Sequence, residues 1–490
     1  MSLRISSLPT LPSGCAVAIF ALLGLFSTQA SAQEAPSTSS DSGAESTELA
    51  LPDLGPPITG EIGSGAGPMQ ADASTEAEQD FTNDPEYLAE VERLTKAFED
   101  ARHKLETAVV QQRLIYTRYL NAEARSKADR ESYTVKRDEV RSLMDETYTA
   151  ALDLSRITGN EEAAQYILTM IQHRFERGIY NLSTAEGAAR LIDGGARYLL
   201  LFKAGARSAL VSGKFDIAKR LYEAIDRKDM EKVDIGMFIS LEELEKSWEK
   251  ESEIREQEAQ ADDLPRVKFV TTQGEFTVEL FINEAPSTVA NFINLVEQGF
   301  YDGLDFHQVV DNMLALTGDP SGLGSGGSGK FLVDEFDPEV TRTALRGYLV
   351  MAKLPVPGST SGEFVPNSAS SQFAILYMPI VANLGEQTVF GCVIEGMDVV
   401  SRLRRVDPSK KAEEKKMQLP PDRILETTVL RRPDTLPEVK YFDVRAALQA
   451  EQDRIRAAQK AAESTHQHDG HDHDGHDHDD HDHEGHDHED

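Results

Sequence analysis

Residues 267–282 read Val-Lys-Phe-Val-Thr-Thr-Gln-Gly-Glu-Phe-Thr-Val-Glu-Leu-Phe-Ile. Val267, Phe269, Phe276, Val278, Leu280 and Ile282 alternate with other residues on either side of Gln273-Gly274. A period of two around a turn pair predicts strand, turn, strand. Downstream, Pro286–Glu297 reads as a helix opened by proline, and Gly318–Gly329 is a glycine-dense loop. Further strands are expected at Tyr348–Ala352, Gln372–Leu376, Thr388–Val393 and Leu425–Leu430. Short strands with two interspersed helices favour a closed antiparallel β-barrel with helical caps over 266–431.

Upstream the period changes. From Glu86 to Thr158 the chain contains neither Gly nor Pro. Asp84-Pro85 supplies an N-cap and a first helical residue. Leu88, Val91, Leu94, Phe98, Ala101 and Leu105 recur at three and four, and Leu143, Tyr148, Ala151, Leu152 and Leu154 mark a second apolar helical face. Two long helices in a hairpin are expected, followed by shorter ones, so that 84–262 is an α-helical region. Gly213–Ile225 resembles the second half of a tetratricopeptide repeat, but no second copy recurs at about 34 residues, and an ordinary helical hairpin is the preferred reading. Leu241–Ala261 is a charged helix closed by Pro265.

The two ends differ from the body. Arg4, the apolar run Cys15–Phe26 and Ala30-Ser31-Ala32 have the layout of a secretory signal over 1–32, cleaved after Ala32. Export to a periplasm or beyond the cell follows. A run this short is expected to leave no membrane span once removed, and Cys392 is then the sole cysteine. Residues 33–80 hold ten acids, no Lys or Arg and no aromatic residue; such a segment cannot bury enough apolar surface to order itself and is expected to be a disordered linker. Residues 432–465 read as a charged connector. From His466 a five-residue unit repeats five times, placing His466, His468, His471, His473, His476, His478, His481, His483, His486 and His488 beside eleven acids. His-x-His with carboxylates suits Zn, Ni or Cu, so 466–490 is expected to capture metal. The formal charge of −34 speaks against a nucleic-acid partner, which needs a basic surface.

Within 266–431, Glu284-Ala-Pro286-x-Thr288, Gly299-Phe-Tyr301-Asp-Gly303, Phe306-His307, Gly318-Asp-Pro320, Asp334-Glu335-Phe336, Met351-Ala352, Ser371-Gln372-Phe373 and Val389-Phe390-Gly391 follow one another. This series resembles a cyclophilin-type peptidyl-prolyl isomerase domain. The resemblance implies a groove that binds proline-containing segments and turns the X–Pro peptide bond, against a barrier of about 18–20 kcal/mol. No cofactor is required for that rotation. In the family an Arg after Phe-His donates to the twisting amide, helped by the Gln of Ser-Gln-Phe. The matching catalytic positions here are Gln308 and Gln372, and the matching substrate-binding positions are Phe306, Met313, Leu314, Leu316, Ala352, Ala374, Leu384 and Gln387. Gln308 is neutral and shorter than Arg, and a charge-assisted bond is about twice as strong as a neutral one. Weakened isomerase activity in the folding of exported proteins is expected. The alternatives are a silent module that binds proline segments, with the helical region as a docking or dimerisation surface, and a metal buffer. The barrel is expected to carry its own core and fold without 33–262.

Overall fold

In the computed structural model, α1 (Pro85–Asn121) and α2 (Lys127–Ile157) form the expected hairpin. Residues 84–121, 126–337, 341–356, 363–380, 387–407 and 420–444, with 446 and 449, are the ones described. The signal, the 33–80 linker, Leu384 and the tail histidines lie outside them. Asp84 Oδ1 accepts the Glu86 N–H at 2.9 Å and so caps α1. The bend lacks Gly and Pro, yet α2 begins on a capping box in which Ser126 and Asp129 exchange hydrogen bonds. Phe98, Leu105 and Ala108 of α1 pack on Val140, Met144 and Tyr148 of α2. Leu88 at the outer end is 51% exposed, so the buried part of the stripe starts further along the helix.

Six more helices follow: α3 (Glu161–Glu176), α4 (Leu182–Asp193), α5 (Leu199–Val211), α6 (Phe215–Glu223), α7 (Lys232–Ile239) and α8 (Leu241–Ala261). Asn160 and Asn181 cap α3 and α4. The turn between α5 and α6 needs Gly213: its φ is +72°, and a Cβ there would lie 2.4 Å from Trp248 Nε1. None of the described helices is long and apolar enough to cross a membrane.

The remaining strands are β1 (Arg266–Thr271), β2 (Gly274–Leu280), β3 (Gln308–Val310), β4 (Leu314–Thr317), β5 (Tyr348–Met351), β6 (Phe373–Leu376), β7 (Val389–Glu395) and β8 (Ile424–Arg431), with α9 (Pro286–Glu297) and α10 (Met397–Ser401) between them. They form one antiparallel sheet in the order β3-β4-β6-β5-β7-β2-β1-β8. The sheet curls, and backbone bonds from Gly303 to Ile424 and from Phe306 to Asp422, both 2.9 Å, join the approach to β3 with the start of β8.

Both faces of the central strands are buried. On the inner face Phe269 stacks on Phe276 at 4.8 Å, and Phe292 of α9 meets Tyr301, Phe373 and Phe390 at 5.2–5.4 Å. Each such aromatic contributes about 1.5–3 kcal/mol through burial. On the outer face Leu314, Tyr348, Leu376, Met378 and Cys392 belong to the same buried cluster as Leu210, Phe215, Leu241 and Leu244 of the helices. The sheet therefore has the inner core that its motifs imply, but its outer core is shared with α5–α8.

Ion pairs seal the same junction. The Arg342 guanidinium donates to Glu251 of α8 at 2.9–3.0 Å, to Glu258 at 2.7 Å and to Glu284 at 3.2 Å. It also lies 4.2 Å from the Phe281 ring centroid. The Tyr348 hydroxyl donates to the Glu251 carboxylate as well. Arg255 of α8 reaches Glu279 of β2 at 2.8 Å.

Candidate functional site

The β3–β4 hairpin places the residues that the sequence singles out. Its turn passes through Asn312, whose φ is +56° and whose side-chain oxygen accepts the Tyr180 hydroxyl at 3.0 Å. Register then sets a row across the sheet: Gln308 pairs with Leu316, Leu316 with Ala374, and Ala374 with Val350. Paired residues point to the same face with Cβ atoms about 4.5–5.5 Å apart. The next row along holds Val310, Leu314 and Leu376. Gln308, Leu316 and Ala374, together with Leu314, are thus brought together on the outer face.

Exposure sorts the site residues. Gln308, Met313, Ala352 and Gln372 are half-buried, whereas Leu314, Leu316, Ala374 and Gln387 are buried. Phe306 has 0% exposure and sits in the inner core with Val309 and Phe373, so it presents no surface to a ligand. A cavity of about 30 Å³ remains on the outer face. It is bounded by Leu314, Ala352, Ala374, Gln387, Ile380 and Phe364. That is room for a water or two rather than a prolyl ring.

Phe364 is a wall residue that the motif series does not contain. It comes from the proline-rich insertion after Met351-Ala352. There Val356 N–H donates to Glu363 O at 2.9 Å and Val365 N–H to Leu354 O at 2.7 Å, folding the segment back on itself. Lys353 anchors its base through Asp334 at 2.6 Å. An aromatic residue between Gly362 and Val365, inside a loop beside the groove, was the available signal.

Gln372 is committed elsewhere. Its amide donates to Gly324 O at 3.1 Å and Gly326 O at 2.8 Å, which pins the glycine loop over the sheet. The loop is organised by Asp319, which accepts from Ser321 N at 2.7 Å and Leu323 N at 3.1 Å. Burial alone would raise the Asp319 carboxyl, but these bonds, with those from Gly324 and Gly326, hold it below the usual carboxylate range. A Cβ at Gly326 would lie 2.0 Å from Asp319 Oδ1, so any side chain there would displace the carboxylate that organises the loop. His307 beneath the loop completes no hydrogen bond through either ring nitrogen, and burial pushes its pKa down. It stays neutral. Cys392 is buried, and burial pushes its thiol up to about 12, which keeps it protonated. Among the described residues no three His, Cys, Asp or Glu side chains gather into a metal-holding set.

A family model described as "Cyclophilin type peptidyl-prolyl cis-trans isomerase/CLD" matches residues 266–429. Peptidyl-prolyl cis-trans isomerase-like 1 of Aspergillus niger is 40% identical over 140 residues, covering 28% of this chain and 80% of the relative. The chain belongs to the cyclophilin-type peptidyl-prolyl isomerase family. A peptidyl-prolyl cis-trans isomerase of Arabidopsis thaliana is 37% identical over 145 residues, covering 29% of this chain and 82% of its own length. A solved cyclophilin-type isomerase of Cryptosporidium parvum is 27% identical, covers 35% of this chain and 99% of its own, and has a TM-score of 0.29. The cyclophilin domain thus accounts for about a third of the chain, and the helices before it stand outside the matched residues.

Proposed function

We propose that this cyclophilin is a slow prolyl isomerase acting on exported proteins, in which a neutral amide at Gln308 takes the place of a guanidinium. The observation that carries this reading is the row Gln308–Leu316–Ala374: a hydrogen-bond donor at the margin of an apolar surface. Rotation about X–Pro needs the ring held against such a surface and a donor to the twisting amide nitrogen. Gln308 can donate without a full charge, and with no prolyl-sized cavity beside it the apolar row holds proline only weakly, against its surface. The His-rich tail is read as an appendage that holds Zn, Ni or Cu, separate from the isomerase step.

The test is turnover of a short X–Pro peptide by the full chain. Activity is expected at least ~100-fold below that of an Arg-bearing relative, the scale of losing one transition-state donor. Gln308→Arg should recover part of it, because Leu316 and Ala374 still leave a poor proline pocket. Ordinary activity in the unaltered chain contradicts the weakened-site reading. A second reading, a binder of proline segments without turnover, is favoured by Gln372 being tied to the glycine loop. In that case the peptide binds but Gln308→Arg adds no turnover.

A further inference from the structure

A cavity of about 820 Å³ opens between α2–α4 and the β1–β2 turn, away from the Gln308 row. This lies within the ~300–1,000 Å³ of ligand sites. Seven arginines line it, in a chain whose formal charge is −34. Its lining carboxylates are three, Asp145, Asp398 and Asp422. Arg174 pairs with Asp145 at 2.8 Å, and Arg402 pairs with Asp398. Asp422 is occupied by Thr272, Gln273 and the Arg404 backbone N–H. Just outside the lining, Asp138 serves both Arg137 at 2.9 Å and Arg141 at 3.2 Å. Glu176 lies 3.8 Å from Arg177, and even with Asp138 and Glu176 included, the guanidinium groups outnumber the carboxylates.

Arg346 is the clearest case. It donates to Tyr377 O at 2.5 Å, Gly178 O at 2.9 Å and Ser401 Oγ at 2.8 Å. Among the described residues no carboxylate lies within ion-pair distance of it. Arg141 has only a shared carboxylate, Asp138, and gives the rest of its guanidinium to Gln273, at 2.6 Å to the carbonyl and 3.0 Å to the side chain. A buried cation without a counter-charge is costly, and an anion is the group that relieves it.

We propose that this cavity binds a small polyanion, a molecule carrying two or more phosphate or carboxylate groups. The planar guanidinium fork recognises both oxyanions through paired N–H donors. The electrostatics of the cavity agree. Burial and the neighbouring Arg137 and Arg402 pull Arg141 down to about 10, and burial brings Arg346 to about 10. His173 is driven down to about 3 by burial and by Arg177, Arg402, Arg174 and Arg141. It is a neutral ring among cations.

Isothermal titration of the full chain with tripolyphosphate and with citrate tests this, at constant ionic strength and after metal is stripped on a chelating resin, so that neither tail-bound metal nor a free chelator plays a part. One saturable site is expected. Arg141→Gln and Thr149→Asp should each weaken it by ~10-fold or more, since each changes one charge at short range. Thr149 is an exposed lining residue, so its variant keeps the fold if Arg141→Gln does not. Heat no greater than that of matched chloride, or equal affinity in Thr149→Asp and the parent chain, overturns the proposal. Much tighter polyanion binding after deletion of 33–80 also overturns it, because the chain's own acidic segment would then be the occupant.

Discussion

Arg342→Met removes the guanidinium on which Glu251, Glu258 and Glu284 converge. The Glu251 side chain is 5% exposed and would keep only the Tyr348 hydroxyl. Glu258 retains Arg255 at 2.7 Å and so suffers less. Removing one member of a buried ion pair costs about 3–5 kcal/mol, because the other charge stays behind without water. Glu251→Gln should cost less, about 1.5–3 kcal/mol, since Arg342 keeps two carboxylates. The double variant should then fall short of the sum of the two by ~1 kcal/mol or more, the signature of residues in contact. Guanidinium denaturation measures all three, followed by far-UV circular dichroism and by Trp248, the sole tryptophan, which lies on α8 three residues before Glu251. A loss below ~1 kcal/mol for Arg342→Met, or strict additivity in the cycle, would refute the reasoning that this cluster joins helices to sheet.

Other outcomes follow from single residues. The unfolded chain protonates His173 near pH 6.5, whereas the folded chain does so only near 3. Stability is therefore full above about pH 6.5 and declines by up to ~1.4 kcal/mol per pH unit below it. His307, also held low by burial, adds to the decline, and His173→Gln should flatten the profile between pH 6.5 and 5. Gly213→Ala forces a side chain into φ +72° against the Trp248 indole, a strain of about 1–2 kcal/mol; the tryptophan emission maximum and the unfolding midpoint should both shift. Calorimetry with Zn²⁺ or Ni²⁺ should find several sites in the full chain that are missing from a version ending at Ser464 and that weaken below about pH 6 as imidazoles protonate.

The inner architecture was legible because it obeys local rules. Alternation around Gln273-Gly274 set β1 and β2, Pro286 set the start of α9, and Pro265 bounded α8. The Gln308 row was legible through the ordered motifs, since register carries Leu316 and Ala374 to its side. The outer core was written less openly. Leu314–Thr317 and Tyr348–Met351 are buried at every position, and an unbroken apolar run is the mark of a strand covered on both faces. Nothing in such a run says what does the covering. Glu251 and Arg342 stand 91 positions apart, and no periodicity links them. The α1–α2 hairpin was legible but the position of its bend was not read, because neither Gly nor Pro marks it; the signal that does is the capping sequence Ser126-Lys-Ala-Asp129.

The shared outer core also sets a schedule. A ribosome completes α8 at Ala261 and must add 262–395 before β7, the last strand of that core, exists. At ~5–20 residues per second this takes on the order of ten seconds. For that interval the faces around Phe215, Leu241 and Leu244 have been made but their cover has not. The nascent helices are thus apolar on one side and unfinished, the state in which chains stick to one another or to a chaperone. A permuted gene that translates the cyclophilin strands first would reverse the problem without removing it, leaving Leu314, Tyr348 and Leu376 waiting instead. Whichever half is made first must be shielded until the other arrives.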